Sequence, residues 1–277
     1  MNCLVTGDDS VSAVQEISKF CKVNIVADAA GDQSLLTNSQ AWNIAQSADF
    51  FYIVDDDQSS GIGLNDQFPF GRIPPEQPLV CDMTGSLFTK PIDWARYGMV
   101  FSGAEKHSAT GASCITVVRR DLIGKHAPNT PAMLAWASYH EQPSSFPNTP
   151  NTWGVYMCGL NLDYMLNQGG LGEMQARALA RSGPLYDFVD ASRGFYSNAV
   201  PEAFRSRSNI VFKTKSSALD LVRQAEEYGF VGLILREENQ VQVTLNNHTP
   251  FEAIYALIAI MDEFMTRNTV TATSKAC

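Results

Sequence analysis

Residues 81–120 read CDMTGSLFTKPIDWARYGMVFSGAEKHSATGASCITVVRR, and the strand and turn pattern of this segment is the strongest indication of the architecture. An apolar run ends in Asp82, and a second strand pattern over 99–102 is followed by Lys106. A third, β-branched run occupies 113–118. Short apolar strands separated by turns and helices indicate a sheet built with crossover connections.

The same alternation extends toward the N-terminus. Val11, Val14, Ile17 and Phe20 recur at helical spacing behind Ser10, which we expect to be the N-cap. Six strands are predicted in the first half of the chain, over 2–6, 22–27, 50–55, 79–82, 99–102 and 114–119. We therefore expect an α/β fold with a mainly parallel sheet.

The second half has a different pattern. A helix is predicted over 152–167, a Gly169-Gly170 break comes next, and a second helix begins at Leu171. Ser182-Gly183-Pro184 is expected to interrupt or kink the chain beyond this second helix. Further strands are predicted over 209–213, 230–235 and 241–245, with helices over 218–228 and 250–266 and a loose tail over 268–277. This pattern predicts a smaller α+β domain over 170–277.

Composition narrows the class of protein. The chain has 277 residues, 45% of them hydrophobic and 18% charged, which is typical of a globular protein. Its net charge of -9 argues against nucleic acid as a main partner, because phosphate contacts require clustered Lys and Arg. The longest apolar run, 253–261, is shorter than the roughly 20 residues of a membrane span, and residues 1–8 are typical of a strand and not of a signal peptide.

The six cysteines are scattered and form no Cys-x-x-Cys pair. Cys81 and Cys114 lie in apolar strand patterns and are expected to be buried thiols in an intracellular, reducing compartment. Cytoplasm and mitochondrion both remain open. The four histidines show no ligand spacing, so no metal site is predicted.

Asp82 and Lys106 are the candidate chemical groups. A lysine amine can form a Schiff base with pyridoxal phosphate, and a carboxylate can hold the pyridinium nitrogen of that cofactor protonated. Taken alone, a lysine is more often a solvated charge, and an aspartate after a strand is more often a turn former. The two residues by themselves leave both interpretations open.

Two further motifs lie C-terminal to residues 81–120: Asn148-Thr149-Pro150, and FRSRSN over 204–209. In this order and spacing the chain resembles the phosphoserine aminotransferases, a branch of the fold-type I pyridoxal phosphate enzymes, to about residue 265. The resemblance implies that residues 1–169 are a remnant of the cofactor-binding large domain. It implies Lys106 as the Schiff-base lysine, Asp82 as the pyridinium partner, and Asn148 and Thr149 as contacts to the cofactor phosphate of a neighbouring subunit. A turn before a helix capped by Thr152 is an equally good interpretation of Asn148 and Thr149.

The departures from the family pattern all remove favourable contacts to the cofactor or the substrate. This sequence starts after the family's glycine-rich phosphate loop, so we expect an amino-terminally truncated large domain. Asp9 replaces the tryptophan that stacks on the cofactor, and Glu105 replaces a glutamine that donates to its phosphate. Gln242 replaces the arginine that holds the substrate carboxylate, and Arg236 aligns poorly with a second basic position. The family's Asn-Glu-Thr string aligns with Asp55-Asp56-Asp57-Gln58, which adds negative charge.

We therefore expect a degenerate protein that binds pyridoxal phosphate weakly or not at all and acts as a structural or interaction subunit. Its partner would be a second copy, a paralogue or a larger complex. The alternative is an active enzyme that transfers an amino group from glutamate to 3-phosphohydroxypyruvate in serine biosynthesis, with Lys106 as its catalytic residue. A hybrid, in which Asn148 and Thr149 complete the site of an intact paralogue, also remains open.

Overall fold

The computed structural model describes residues 1–103, 106–107, 113–141, 148–237 and 239–275. Twelve strands lie in these ranges: β1 (Asn2–Val5), β2 (Asn24–Asp28), β3 (Phe51–Val54), β4 (Asp56–Asp57), β5 (Ile62–Gly63), β6 (Leu79–Asp82), β7 (Tyr97–Gly103), β8 (Cys114–Val118), β9 (Tyr196–Ser197), β10 (Asn209–Thr214), β11 (Leu233–Glu237) and β12 (Gln240–Thr244). The α-helices of the same ranges are α1 (Asp8–Ile17), α2 (Ser34–Thr37), α3 (Trp136–His140), α4 (Thr152–Asn167), α5 (Gly170–Ala191), α6 (Ala218–Glu227) and α7 (Phe251–Lys275).

The first sheet has six strands in the order β2-β1-β3-β6-β7-β8. The first five are parallel neighbours, and β8 pairs with β7 in the antiparallel direction. The expected α/β fold with a mainly parallel sheet is confirmed. The central strands bury side chains on both faces, as in the burial pattern of Phe51–Val54, which is why they are continuous apolar runs.

The strand register brings polar residues together at one edge of this sheet. Val54 pairs with Asp82, and Asp82 pairs with Phe101, so the carboxyl ends of β3, β6 and β7 lie side by side. Asp82 ends β6, Asp55 directly follows β3, and Lys106 follows β7. Crevices at the carboxyl ends of parallel strands are where α/β folds bind ligands.

The second sheet is antiparallel, with the order β11-β12-β10-β9. One of its faces packs against α5, α6 and α7 through Ile210, Phe212, Val241 and Val243, which belong to a separate apolar core. Its other face carries the polar pair Asn209 and Gln242, and Asn209 donates a hydrogen bond to Asp56 in β4. A domain boundary at residue 169 stays a prediction, and Val200 and Phe204 pack into the core of the first sheet although they come after that residue.

The N-terminus of α1 differs from the expectation. The N-cap is Gly7, and Ser10 is the third helical residue. The Ser10 hydroxyl reaches back and accepts the backbone N–H groups of Gly7 at 3.0 Å and Thr6 at 2.8 Å. Ser10 therefore satisfies free amides at this helix end without being the cap itself.

The predicted interruption at Ser182-Gly183-Pro184 is absent, since α5 continues through Pro184 to Ala191, and α7 continues to Lys275. The prediction of a loose tail is therefore wrong for residues 268–275, while 276–277 lie outside the described residues. Long helices tolerate a proline when packing on a core outweighs one lost hydrogen bond, and Leu185 and Val189 supply such packing.

The exposure of Cys114 also differs from the prediction. Cys81 is buried in central strand β6 as expected, but Cys114 is exposed because β8 is an edge strand. An edge position leaves one side of a strand to solvent, which an apolar sequence alone does not reveal. No helix in the described ranges is long and apolar enough to cross a membrane.

Candidate functional site

The carboxyl edge of the first sheet places Asp82 and Lys106 in one electrostatic neighbourhood. Asp82 ends β6, and its Oδ1 accepts the backbone N–H of Thr84 at 2.8 Å. Lys106 comes after β7, and its Nζ atom is shielded from solvent. Burial raises the pKa of Asp82, while its hydrogen bonds from Thr84 and the charge of Lys106 act in the opposite direction. The lysine and the aspartate thus share the sheet edge at which the sequence predicted them.

A second carboxylate group lies at the N-terminus of α1. The Asp57 side chain accepts from the backbone N–H of Ser10 at 3.2 Å and from the hydroxyl of Ser59 at 3.0 Å. A Cβ on Gly7 would come within 2.2 Å of Asp57 Oδ1, so the carboxylate sits directly against the start of the helix. Burial, followed by the charge of Asp9, raises the pKa of Asp57. The helix end that would attract an anion is therefore already occupied by a side chain of this chain.

Asp9 links the two carboxylate groups. Its negative charge raises the pKa of both Asp57 and Asp82, and its Oδ2 accepts the backbone N–H of Gln58 at 3.3 Å. Asp9 thus adds negative charge near Asp57 and Asp82, at the position where the family has an aromatic ring. At an effective dielectric constant near 20, a carboxylate about 4 Å from another negative charge costs on the order of 4 kcal/mol.

Asp55 does not add net negative charge to the site, contrary to the expectation from the Asp55-Asp56-Asp57 run. Its Oδ2 lies 2.8 Å from Lys90 Nζ in an ion pair that is almost completely buried. Ser86 donates a further hydrogen bond to Asp55 at 2.5 Å, and Lys90 also donates to the carbonyl of Leu64. Local sequence around Lys90 predicts no such pairing, because the partner lies 35 residues away.

In the sequence Asp56 is only one member of the negative run 55–57, and the structure gives it an environment of its own. Its Oδ2 accepts from the Ser206 hydroxyl at 2.6 Å, and its Oδ1 accepts from the Asn209 amide at 2.6 Å. Burial raises the pKa of Asp56 to about 7, opposed by these two hydrogen bonds and by the charge of Lys106. A run of three aspartates shows no sequence signal that separates the three environments.

Gln242 is wholly engaged in the interior. Its amide nitrogen donates to Asn209 Oδ1 at 3.2 Å and to Thr244 Oγ1 at 3.0 Å, and its oxygen accepts from Arg236 Nε at 2.6 Å. The side chain is fully buried. It therefore has a structural role here, and neither end of its amide is directed to a ligand.

The Arg-Ser-Arg string contacts α5 and the loop that follows β5. Arg205 forms a bidentate ion pair with Asp190 at 2.7 and 2.9 Å, and its guanidinium lies 4.9 Å from the ring centre of Tyr186. Arg207 lies 4.0 Å from Asp66. Arg205 is thus held by the protein itself, as a packed cation on an aromatic ring.

Asn148 and Thr149 are exposed and lie just before α4. The N-cap of α4 is Asn151, whose side chain accepts the Gly154 N–H at 3.1 Å, so the prediction of Thr152 as cap is wrong by one residue. Contact of Asn148 and Thr149 with a neighbouring subunit stays a prediction.

His107, next to Lys106, is a second buried group that the sequence did not single out. Its Nε2 lies 3.2 Å from the carbonyl of Gly85 and 3.1 Å from the Ser208 hydroxyl. Burial lowers the pKa of His107 to about 4. The ring is therefore neutral at physiological pH and ties the Lys106 turn to both neighbouring segments.

The residues present fit the ring nitrogen and the aldehyde of pyridoxal phosphate, but they do not fit its phosphate or the face of its ring. Asp82 and Lys106 are the residue types that its ring nitrogen and aldehyde require. The Asp9 and Asp57 carboxylates at the start of α1 would repel its phosphate and cannot stack on its ring, and Glu105 lies outside the described residues. The described part of the site does not fit the cofactor as a whole. Within the same ranges, no group of three or more His, Cys, Asp or Glu side chains is arranged to hold a metal ion.

Comparison with known proteins places the chain in a family. The model of the aminotransferase class-V family matches residues 3–230. The phosphoserine aminotransferase of Chromobacterium violaceum is 32% identical over 267 residues, which cover 94% of this chain and 72% of that protein. The structure of phosphoserine aminotransferase from Bacillus circulans subsp. alkalophilus matches 96% of this chain and 74% of its own length, with a TM-score of 0.87 and 27% identity.

A pyridoxal phosphate-bound phosphoserine aminotransferase from Trichomonas vaginalis has the same fold. The match has a TM-score of 0.84 and 23% identity, and it covers 95% of this chain and 75% of that one. The fold, the order of motifs and the family match agree. The chain therefore belongs to the class-V aminotransferases and is a phosphoserine aminotransferase-like member of that fold-type I family.

Proposed function

We propose that this chain is a non-catalytic phosphoserine aminotransferase-like protein that binds pyridoxal phosphate weakly or not at all and serves as a protein-binding subunit. The observation that carries the proposal is the Asp9 carboxylate in the first turn of α1, whose Oδ2 accepts the backbone N–H of Gln58, the residue after Asp57, at 3.3 Å. An anionic wall at this place opposes the phosphate of the cofactor and the phosphate of the family's substrate alike.

The substrate side supports the same proposal. A carboxylate substrate needs a bidentate cationic clamp, and Gln242 is neutral and already satisfied at both ends of its amide. Arg205 is neutralised by Asp190. The position that would recognise the substrate carboxylate, Gln242, has therefore become part of the folded interior.

Helix α4 supplies the surface for a partner. Trp153 is 63% exposed and Leu166 is 70% exposed. Asp163 is the only formally charged side chain between residues 148 and 172. Exposed apolar surface of this extent is typical of a protein interface. Further exposed apolar residues of the same helix are Val155, Tyr156, Leu160 and Tyr164.

We infer that α4 packs against a second chain of the same fold. Two copies of an almost uncharged helix can pack together without charge repulsion. At most other surfaces, the net charge of -9 makes two copies of the chain repel each other. Asn148 and Thr149 precede α4 and are exposed, so they would lie at the edge of that interface. The exposed thiols of Cys21 and Cys114 support an intracellular, reducing compartment.

The alternative, an active transaminase, is favoured by one observation: Asp82 and Lys106 still share one neighbourhood at the sheet edge. Purified protein titrated with pyridoxal phosphate separates the two. Under the proposal there is no near-visible absorbance band at saturating cofactor, and borohydride reduction labels no peptide that contains Lys106. A band that is trapped on Lys106 and is lost in Lys106→Ala would overturn the proposal.

The subunit role is tested by sedimentation of the intact chain. Lys106→Ala should assemble like the wild type, while Trp153→Glu with Leu166→Glu should shift the protein to monomer. Val231→Glu is the matched control, since Val231 is 87% exposed and lies outside α4. Assembly that is unchanged in the α4 variant would contradict this role for the helix.

A further inference from the structure

A cavity of about 760 Å³ lies between the C-terminal end of α5, the segment that joins β10 to α6, and the second half of α7. A volume of this size is in the range of small-molecule sites. None of the residues that line it belongs to the candidate site described above. The cavity is therefore a separate feature of the second half of the chain.

Two cationic side chains border this cavity. Arg193 comes directly after the C-cap of α5, and Lys215 comes directly after β10. A Cβ on Gly194 would lie 3.7 Å from Lys215 Nζ, so the ammonium group lies beside the residue that follows Arg193. The two residues are exposed. They give one corner of the cavity a positive charge in a chain whose net charge is -9.

The carboxylates of the neighbouring helices are engaged elsewhere. Asp190 in α5 is held by its bidentate ion pair with Arg205, and Glu263 in α7 is held by Arg267. Among the described residues that line the cavity, none is acidic. In the same part of the structure, neither cation of the cavity forms an ion pair. Both charges are thus available to an anion from outside the chain.

The backbone at Arg193 has an unfavourable conformation. Its φ angle is 54°, in the left-handed region that favours glycine. Gly194, with a φ angle of 77°, is the residue type suited to such a turn, yet the position before it is an arginine. Strain of this kind is typical of positions whose side chain serves in ligand binding. The retained arginine is a second observation, independent of the cavity, that favours a ligand site.

The remaining lining supplies an apolar wall and polar groups. The Phe195 ring packs edge-on against Tyr196, with ring centres 4.9 Å apart, and against Phe264, with ring centres 6.3 Å apart. This packing fixes the ring before any ligand binds. Met265 adds apolar surface, and Thr266 adds a hydroxyl group. The cavity thus combines a positive corner with a preformed apolar surface.

We propose that this cavity binds an organic phosphate monoester, with its phosphate on Arg193 and Lys215 and its apolar body on Phe195. A phosphate offers three strong acceptor oxygens, which two cations and a hydroxyl group can share. Guanidinium groups bind phosphate through two parallel hydrogen bonds, and a lysine ammonium adds a point charge. The apolar body should add affinity because it covers the aromatic wall. This binding goes beyond the proposed function and does not depend on Lys106.

Isothermal titration of the intact chain with phenyl phosphate tests the site. One molecule should bind per chain, and Arg193→Gln and Lys215→Gln should each weaken binding by about tenfold or more, because each removes a charge-assisted contact. Arg223→Gln is the matched control, since Arg223 is exposed on α6 and does not line the cavity. It should bind phenyl phosphate like the wild type. Wild-type affinity in both cavity variants would overturn the proposal.

Two further ligands test the chemical class. Inorganic phosphate should bind about tenfold more weakly than phenyl phosphate, because it leaves the apolar wall in water. Benzoate should also bind more weakly, because a carboxylate has fewer acceptor oxygens and less charge than a phosphate. Either ligand binding as tightly as phenyl phosphate would overturn the assignment to an organic phosphate.

Arg193→Gly separates a ligand-binding role from a structural role. Glycine relieves the left-handed conformation, so the variant should unfold at or above the wild-type temperature, while its affinity for phenyl phosphate falls as in Arg193→Gln. Thermal unfolding and titration of the same preparation measure both effects. A variant that is less stable than the wild type and binds phenyl phosphate equally well would show a structural role and overturn the proposal.

Discussion

The Asp57 carboxylate accepts the backbone N–H of Ser10 at 3.2 Å, so the N-terminus of α1 is held by a side chain 47 residues further along the chain. The same carboxylate accepts from the Ser59 hydroxyl at 3.0 Å. A helix end that could attract an external anion is thus satisfied internally. This relationship makes Asp57 a structural group, and its loss should be felt in stability.

Asp57→Ala should lower the free energy of unfolding by about 2–3 kcal/mol, because it leaves several buried donors without an acceptor. Urea unfolding followed by circular dichroism measures the change. Asp49→Ala removes an exposed carboxylate and should leave the midpoint nearly unchanged. Equal midpoints for the two variants would show that the capping contact contributes nothing.

Lys90→Met should cost about 3–5 kcal/mol, because it leaves the buried Asp55 carboxylate without its cation. The double variant Asp55→Asn with Lys90→Met should recover part of this loss, since the uncompensated charge is gone. Lys19→Met, which breaks an exposed ion pair with Glu16, is the control and should have little effect. A double variant less stable than the single one would argue against charge burial as the cause.

Gln242→Arg should destabilise the protein by about 3–5 kcal/mol, because it places a second guanidinium beside Arg236 at a fully buried position. Gln240→Arg, on the same strand and only half-buried, should be tolerated. Thermal unfolding of the two variants distinguishes them. If Gln242→Arg folds as stably as the wild type and binds glutamate, the site retains more of its ancestral recognition than we propose.

The burial of His107 should make the free energy of unfolding depend on pH. Its contribution is fully present above pH 6.5 and is lost as the pH falls through about 4. Its folded-state pKa of about 4 lies below its ordinary value of 6.5, so the unfolded chain binds the proton first. This contribution is on the order of 3 kcal/mol. Unfolding between about pH 4 and pH 8 should show a weaker acid loss in His107→Gln, whereas the exposed His126→Gln should match the wild type.

Most of the architecture was predictable from local pattern. The strand over 79–82 and the helix over 152–167 have the predicted bounds, because β-branched runs and a capped helical sequence act within a few residues. The prediction was wrong where distant packing decides, as at Pro184, which α5 accommodates against its core. The prediction for Cys114 was wrong for a related reason, since the position of a strand within a sheet is not a local property.

The candidate site was predictable in part. Sequence placed Asp82 and Lys106 at neighbouring strand ends, and the structure brings them into one electrostatic neighbourhood. It could not separate Asp55, Asp56 and Asp57, which are adjacent in sequence and identical in chemistry. Asp55 pairs with Lys90, Asp56 accepts from Ser206 and Asn209, and Asp57 accepts a backbone N–H at the start of α1.

The amino-acid sequence by itself thus determined the α/β class, the family and the residue types of the site, because these depend on composition, periodicity and the order of motifs. Only the tertiary structure decided what each carboxylate does. The ionisation of a carboxylate depends on its burial and on the donors and charges within a few ångströms. Those neighbours come from distant segments, since Lys90 is 35 residues from Asp55, Ser10 is 47 residues from Asp57, and Ser206 is 150 residues from Asp56.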